Sequence, residues 1–300
     1  MTDPPTPGSG ETSVEHSSES MTVAGRWTYH WGAKRRPFVH PLRTMAGHVL
    51  TRDAPDDHPW HHGCWFTVKF VDGDNFWEEM APYGVLRHDG PPTVEPGVDG
   101  DGRVTLRGAL RWIRPDRETV AIHERRSLTH VPIDAATYAI DLSTVLVPTA
   151  DAVLDRTPFT TWGGYGGLTL RGPGDWHDTR LLLADGRDVD RVLGEPATWC
   201  ALAGIIGADH AEAPAGLAMF DAPTNRRHPV PWYGSTRADT YGDDGWSNFF
   251  NAAFLFHEPM RVAAGEELRI DHRVVVHDGD WDHAGIDALY ASWLDERTAI

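Results

Sequence analysis

Five of the 17 histidines fall between residues 40 and 62, at positions 40, 48, 58, 61 and 62. An even spread along the chain would place about one there. The dense part reads Asp56-Asp57-His58-Pro59-Trp60-His61-His62-Gly63, followed by Cys64 and Trp65, then by Asn75-Phe76-Trp77-Glu78-Glu79. Imidazole titrates near neutrality, and in its neutral form it binds Zn, Mn, Fe, Ni and Cu. Three readings follow. His58, His61 and His62, with a carboxylate such as Glu78 or Asp57, hold a divalent transition metal, with Cys64 as a minor further ligand. Alternatively His61 or His62 is a general acid or base, with Glu78 or His58 as its partner. In the third reading the imidazoles only satisfy hydrogen bonds in a polar loop. Pro59 argues against a helix, so His58-x-x-His61-His62 does not match a helical zinc motif. Pro59 and Gly63 indicate a loop or strand start, where scaffolds gather reactive groups.

Two later segments could complete a binding site. Trp162-Gly163-Gly164-Tyr165-Gly166-Gly167-Leu168-Thr169-Leu170-Arg171 lacks the strand–loop–helix setting of a phosphate loop. Its glycines allow close backbone approach, and Tyr165 and Arg171 become candidate substrate donors; a bulge with Arg171 in an ion pair is the equal alternative. Asp221 to Tyr233 follows an apolar run. There Asn225 and His228 offer hydrogen bonds, while Trp232 and Tyr233 offer flat faces of the kind that stack on sugar rings. His123, His257, His272 and His277 lie in strand-like runs and are expected to be structural. Asp278 to Asp282 lacks calcium-loop spacing and suits a turn plus helix cap.

The elements that must position these groups are mostly strands. Trp65–Val71, Arg103–Ile113, Thr119–Leu128 and Thr137–Val147 are expected strands, the last alternating as a half-buried antiparallel strand should. Asp99-Gly100-Asp101-Gly102 is a hairpin turn signal. Further strands are expected at Arg180–Leu183, Thr198–Ile206, Gly216–Phe220, Phe249–Phe256 and Leu268–Val276. Ile286, Leu289, Tyr290, Trp293 and Leu294 fall at helical spacing, with Asp280 or Asp282 as cap. The fold class is therefore all-β, a large antiparallel β-sandwich with a C-terminal helix. Residues 1–22 are rich in Pro, Ser, Thr and Glu and read as a disordered tail, leaving 23–300 as a single domain.

Composition narrows the function classes. Of 300 residues, 44 are acidic and 27 basic, giving a formal charge of −17. Such a surface repels phosphate backbones and anionic lipid, so neither nucleic acid nor membrane is an expected partner. No apolar run is long enough to span a bilayer, and the N-terminal stretch has no secretory pattern. With two cysteines, Cys64 and Cys200, a reducing cytoplasm is the expected location.

His40-Pro41-Leu42-Arg43-Thr44, Gly47-His48, Asp57 to Trp65 and Asn75-Phe76-Trp77-Glu78 together resemble a bacterial family of unknown function often labelled "methane oxygenase PmoA". The Gly163–Arg171 and Asn225–Trp232 segments are similar to that family's later motifs, so the resemblance runs from about residue 27 to 295. It implies a role in carbohydrate catabolism. The chain departs from the family's commoner His-Pro-His-His form by placing Trp60 between Pro59 and His61. The strand-rich layout also resembles the galactose-mutarotase-like supersandwich, with Pro259–Leu268 as its late hairpin.

The expected function is a carbohydrate-active enzyme of sugar catabolism. His61, His62 and Glu78 would do acid/base chemistry of the lyase, hydrolase or epimerase kind on a sugar or oxidised glycoside. Tyr165, Arg171, Asn225, His228 and Trp232 would bind the sugar. A metal on His58, His61 and His62 would polarise an oxygen. Two alternatives stand beside it: a non-catalytic sugar-binding or regulatory module, and a copper- or iron-dependent oxygenase of small molecules.

Overall fold

Alternating side chains build the molecule. In Thr137–Pro148, every second residue from Leu142 onward is buried, which lets one face of a sheet pack while the other meets its own covering. The computed structural model describes residues 12–32, 36–98, 100–158, 163–207, 211–237 and 247–298.

Among these, nine strands form one antiparallel sheet, numbered along the chain. In spatial order they are β1 (Val14–His16), β2 (Ser20–Val23), β3 (Trp27–His30), β4 (Phe38–Leu42), β5 (Cys64–Thr67), β14 (Gly167–Arg171), β21 (Phe249–Ala252), β20 (Pro231–Ser235) and β17 (Arg191–Pro196). A ten-stranded sheet packs against it. Its order is β16 (Asp188–Val189), β15 (His177–Leu183), β18 (Trp199–Ile206), β19 (Ala213–Asp221), β23 (Leu268–Asp278), β12 (Thr137–Pro148), β11 (Val120–Pro132), β10 (Val104–Ile113) and β8 (Val85–His88), with β9 (Thr93–Pro96) also on β10. A small third sheet joins β22 (Met260–Val262), β13 (Ala152–Asp155), β6 (Phe70–Val71) and β7 (Asp74–Asn75). The helix α1 spans His283–Thr298. The expected large antiparallel sandwich with a C-terminal helix is thus what the chain forms.

Three apolar clusters define the layers. The largest lies between the sheets and takes Val39, Phe66, Leu170, Trp232 and Phe250 from one, and Trp112, Leu128, Leu142 and Leu217 from the other. The second seals the far face of the ten-stranded sheet under α1, where Ile286 and Trp293 meet Trp199, Phe220 and Val275. The Asp282 carboxylate accepts the Gly285 amide at 2.7 Å and caps the helix. The third cluster, Phe38, Trp65, Trp77, Tyr165, Tyr233, Phe249 and Phe256, lies on the other face of the nine-stranded sheet. Neighbours in sequence confirm the sidedness: Phe66, Trp232 and Phe250 point inward, while Trp65, Tyr233 and Phe249 point outward.

The N-terminal expectation needs correction. Residues 12–22 are not a tail; β1 and β2 extend the nine-stranded sheet through pairing with β3. Met21 and Val23 are buried, and this short alternation suffices because β3 supplies the partner strand. Residues 1–11 lie outside the described residues. Two other spans are shorter than expected: Trp65–Val71 divides into β5 and β6, and β21 stops at Ala252. Among the described residues, no helix is long and apolar enough to cross a membrane.

Candidate functional site

The chain between β4 and β5 folds back as a narrow hairpin with Asp53 bridged to His62. It is stapled to the end of β14 by Arg52 N–H to Arg171 O, 2.8 Å, and by Arg171 N–H to Gly63 O, 2.8 Å. Gly63 has φ +57°, and a Cβ there would lie 2.4 Å from the Val39 carbonyl oxygen. Only glycine lets the hairpin close against β4. The tip turns through His61 N–H to His58 O at 2.9 Å. The histidine segment is thereby held over the outer face of the nine-stranded sheet.

Adjacent His61 and His62 enter different surroundings. The His61 ring stacks on Phe249 at 5.2 Å and on His58 at 4.5 Å, and it also contacts Trp65 and Trp77. Burial, then the nearby charge of His58 and Arg171, pushes its proton affinity well below the usual histidine range. His61 is therefore a neutral imidazole in an aromatic box. His62 is fully buried, with Nδ1 2.6 Å from Asp53 Oδ1 and Nε2 3.2 Å from Glu79 Oε1. Arg36 lies 3.7 Å from the same Glu79 oxygen. Because an ionised carboxylate only accepts, this chain is satisfied when both ring nitrogens carry hydrogen or when one of the two carboxylates does.

Glu78 and Glu79 are set by Asn75. Its Oδ1 accepts the Trp77 and Glu78 amides at 2.9 and 3.2 Å, and its Nδ2 donates to Glu78 O at 2.9 Å. This Asx turn sends successive carboxylates to different partners. Glu79 meets His62; Glu78 takes the Lys69 ammonium and the Tyr165 hydroxyl, the latter at 3.3 Å. Burial, then the Glu78 charge, raises the Tyr165 phenol, so it stays a donor. Gly164 has φ +77°, and a Cβ there would strike the Phe256 ring at 2.4 Å, which is why the approach to Tyr165 is glycine-rich.

A third carboxylate is shared. Asp57 Oδ2 accepts His58 Nδ1 and an Arg171 nitrogen, each at 2.9 Å. Burial opposes its ionisation, but the His58 hydrogen bond and the Arg171 charge together hold its proton affinity below the usual carboxylate value. Trp60, half-buried, stands edge-on to His58 at 5.2 Å and to His61 at 6.3 Å.

The structure brings together His58, His61, His62, Glu78, Tyr165 and Arg171. It separates three other expected sugar ligands. Asn225 spends its amide on Asp221 Oδ1, Asp271 O and the Asp271 amide, at 2.7 to 2.8 Å. His228 bonds Asp221 Oδ2 at 2.8 Å. Both shape the turn after β19, on the other sheet. Trp232 is fully buried between the sheets, its Nε1 donating to Ala197 O at 2.9 Å; its neighbour Tyr233 faces the site instead. Trp162 lies outside the described residues.

The metal reading gains no support from this geometry. The His58 and His61 rings lie nearly parallel, at 20°, and both His62 nitrogens face carboxylates. No group of three or more His, Cys, Asp and Glu side chains suited to a metal converges among the described residues. Cys64 points into the core between the sheets, and burial pushes its thiol up to about 12. Residues that the sequence reading passed over are Asp53, Glu79, Arg36, Lys69, Trp77 and Phe249. For Glu79 the signal was its place beside Glu78; Asp53 lies nine residues before His62, a separation only the hairpin makes short.

The fold is similar over 91% of this chain to 32% of a protein described as a kojibiose phosphorylase from the human microbiome, at 9% identity and a TM-score of 0.33. The chain thus spans about a third of that protein's length. No curated protein matches it in sequence. The methane-oxygenase label finds no support in these matches. Residues 20–291, nearly all of the two sheets and most of α1, match the model of a family of unknown function, DUF6807, and the chain belongs to that family.

Proposed function

We propose that this chain is an enzyme that moves protons on a sugar or an oxidised glycoside, with its site on the outer face of the nine-stranded sheet. The observation that carries the reading is His62, fully buried and held between two carboxylates. A buried imidazole with a carboxylate on each nitrogen is a proton store: Asp53 fixes the ring, and Glu79 faces it from the other side. The Asp53 side chain is 35% exposed and Glu79 14%, so the chain leads from solvent toward the interior.

Lyase, hydrolase and epimerase chemistry share one demand, a group that gives a proton and another that takes one. His62 with Glu79 can give it. Glu78, against the Lys69 ammonium and the Tyr165 hydroxyl, is placed to take it. Trp60 offers a half-exposed flat face beside the histidines, suited to the C–H side of a sugar ring. Arg171 fixes Asp57 and thereby His58.

The test incubates the protein in D2O with a panel of free sugars, methyl glycosides and keto-glycosides. NMR follows deuterium entry at carbon and bond cleavage. Turnover of at least one sugar is expected, falling by about a hundredfold or more in Glu79→Gln and His62→Gln. Unchanged turnover in both variants rejects the proposed roles. Sugar binding without turnover in the unmodified protein identifies a binding module.

A further inference from the structure

We propose that the Asn251 side-chain amide, together with the Trp65 indole N–H, forms a hydroxyl-reading subsite for a sugar or polyol on the outer face of the nine-stranded sheet. This deepens the function proposed above and rests on it for the class of ligand.

Asn251 lies on β21 between Phe250 and Ala252, which both pack into the core between the sheets. Alternation therefore turns its side chain outward, as it does for Phe249. The register aligns Trp65 with Thr169, Thr169 with Asn251, and Asn251 with Tyr233, one row across β5, β14, β21 and β20. Asn251 is fully buried, yet neither its Oδ1 nor its Nδ2 has a hydrogen-bonding partner among the described residues. Trp65 Nε1 is equally unpartnered. Thr169, between them in the row, turns its hydroxyl to Gly167 O at 3.1 Å.

The contrast with another buried asparagine is sharp. Asn248, three residues away, is also fully buried, but its Nδ2 donates to Pro173 O and Trp176 O at 2.8 and 2.6 Å and its Oδ1 accepts from Thr179 at 2.7 Å. Buried carboxamides in this protein can be satisfied by the fold; the one on the site face is left with its capacity unused. A buried amide without partners is costly, and in native structures such groups call for an explanation. An amide presents one donor and one acceptor side by side, the pattern that a hydroxyl or a vicinal diol completes. A bound anion would use only the donor, and a cation only the acceptor. The Tyr233 and Phe249 rings beside it add the apolar surface that the C–H groups of a sugar require.

Two variants test this in the whole 300-residue chain, Asn251→Leu and Asn251→Ala, with a panel of aldohexoses, methyl glycosides and myo-inositol as probes. Leucine matches the amide in size and needs no hydrogen bond, so N251L is expected to melt at or above the unmodified protein. Both variants are expected to bind the responding sugar at least tenfold more weakly. Melting of N251L more than about 2 °C below the unmodified protein, or its failure to fold, shows a structural amide and overturns the proposal. Unchanged affinity in N251A also overturns it while leaving the sugar reading intact. Absence of any sugar response in the unmodified protein overturns both.

Discussion

His61 and His62 are neighbours in the chain and face opposite surroundings, one among aromatic rings and the other between carboxylates. Their clustering was legible because both belong to one short segment. Their tasks were not, because Asp53 and Glu79 reach His62 only through the closed hairpin and the Asn75 turn. The same limit hid a charged pair beneath the site. Glu124 and Arg126 sit between the sheets, bonded to each other at 2.6 Å, and Glu124 also accepts Trp112 Nε1 at 2.7 Å. Burial works against the Arg126 charge, yet Glu124 beside it raises its proton affinity above the ordinary value, so the guanidinium stays charged. Removing one partner strands the other, which costs about 3–5 kcal/mol, whereas replacing both by apolar groups of similar size is often neutral. Glu124→Leu should therefore lower the urea midpoint strongly, and Glu124→Leu with Arg126→Met should recover most of the loss. A single variant no less stable than the double would contradict the ion pair.

Strands and helix were legible at the level of the element because their periods are local. The run from Thr137 becomes β12, and the spaced apolar residues after Ile286 become the buried stripe of α1. What the period does not say is which face of a strand meets the core. Trp232 and Tyr233 were both candidates for a sugar platform; a single residue of register decides that the tryptophan packs inward and the tyrosine outward. The N-terminal hairpin was missed for a related reason, since β1 and β2 carry too little apolar alternation to declare themselves without β3. The helix offers a direct check on element packing. Trp293 is 2% exposed against Phe220, with Arg273 and Arg297 over its ring at 5.6 and 5.1 Å. Trp293→Ala should cost about 3–5 kcal/mol in denaturant unfolding. Asp282→Ala removes only the cap and should cost about 1 kcal/mol. Equal losses in the two variants would mean that α1 is held by its end and not by its stripe.

For the molecule as a whole, acidity and buried imidazoles pull in opposite directions as pH falls. The formal charge of −17 is progressively neutralised, which relieves self-repulsion and favours the folded state. Burial acts the other way. It pushes His88 down to about 3, helped by the Arg126 charge, and His130 down to about 4, helped by Arg26. Both are engaged as neutral rings, His88 with the Tyr29 hydroxyl at 2.8 Å and His130 as acceptor from Trp27 Nε1 at 3.3 Å. In the unfolded chain each would take up a proton near pH 6.5. Between that value and the depressed native ones the unfolded state binds more protons, so stability is full above about pH 6.5 and is lost as pH falls below it. At pH 5 each ring costs about 2 kcal/mol, and burial depresses His40, His61, His272 and His277 in the same direction. Relief of surface repulsion, screened at ordinary salt, is too small to offset several such rings. Urea unfolding should therefore show a marked drop in stability from pH 7 to pH 5. Replacing His88 and His130 together by Gln should flatten that drop by about 4 kcal/mol. If the unmodified protein were as stable at pH 5 as at pH 7, the imidazoles would have to take up protons without leaving their places.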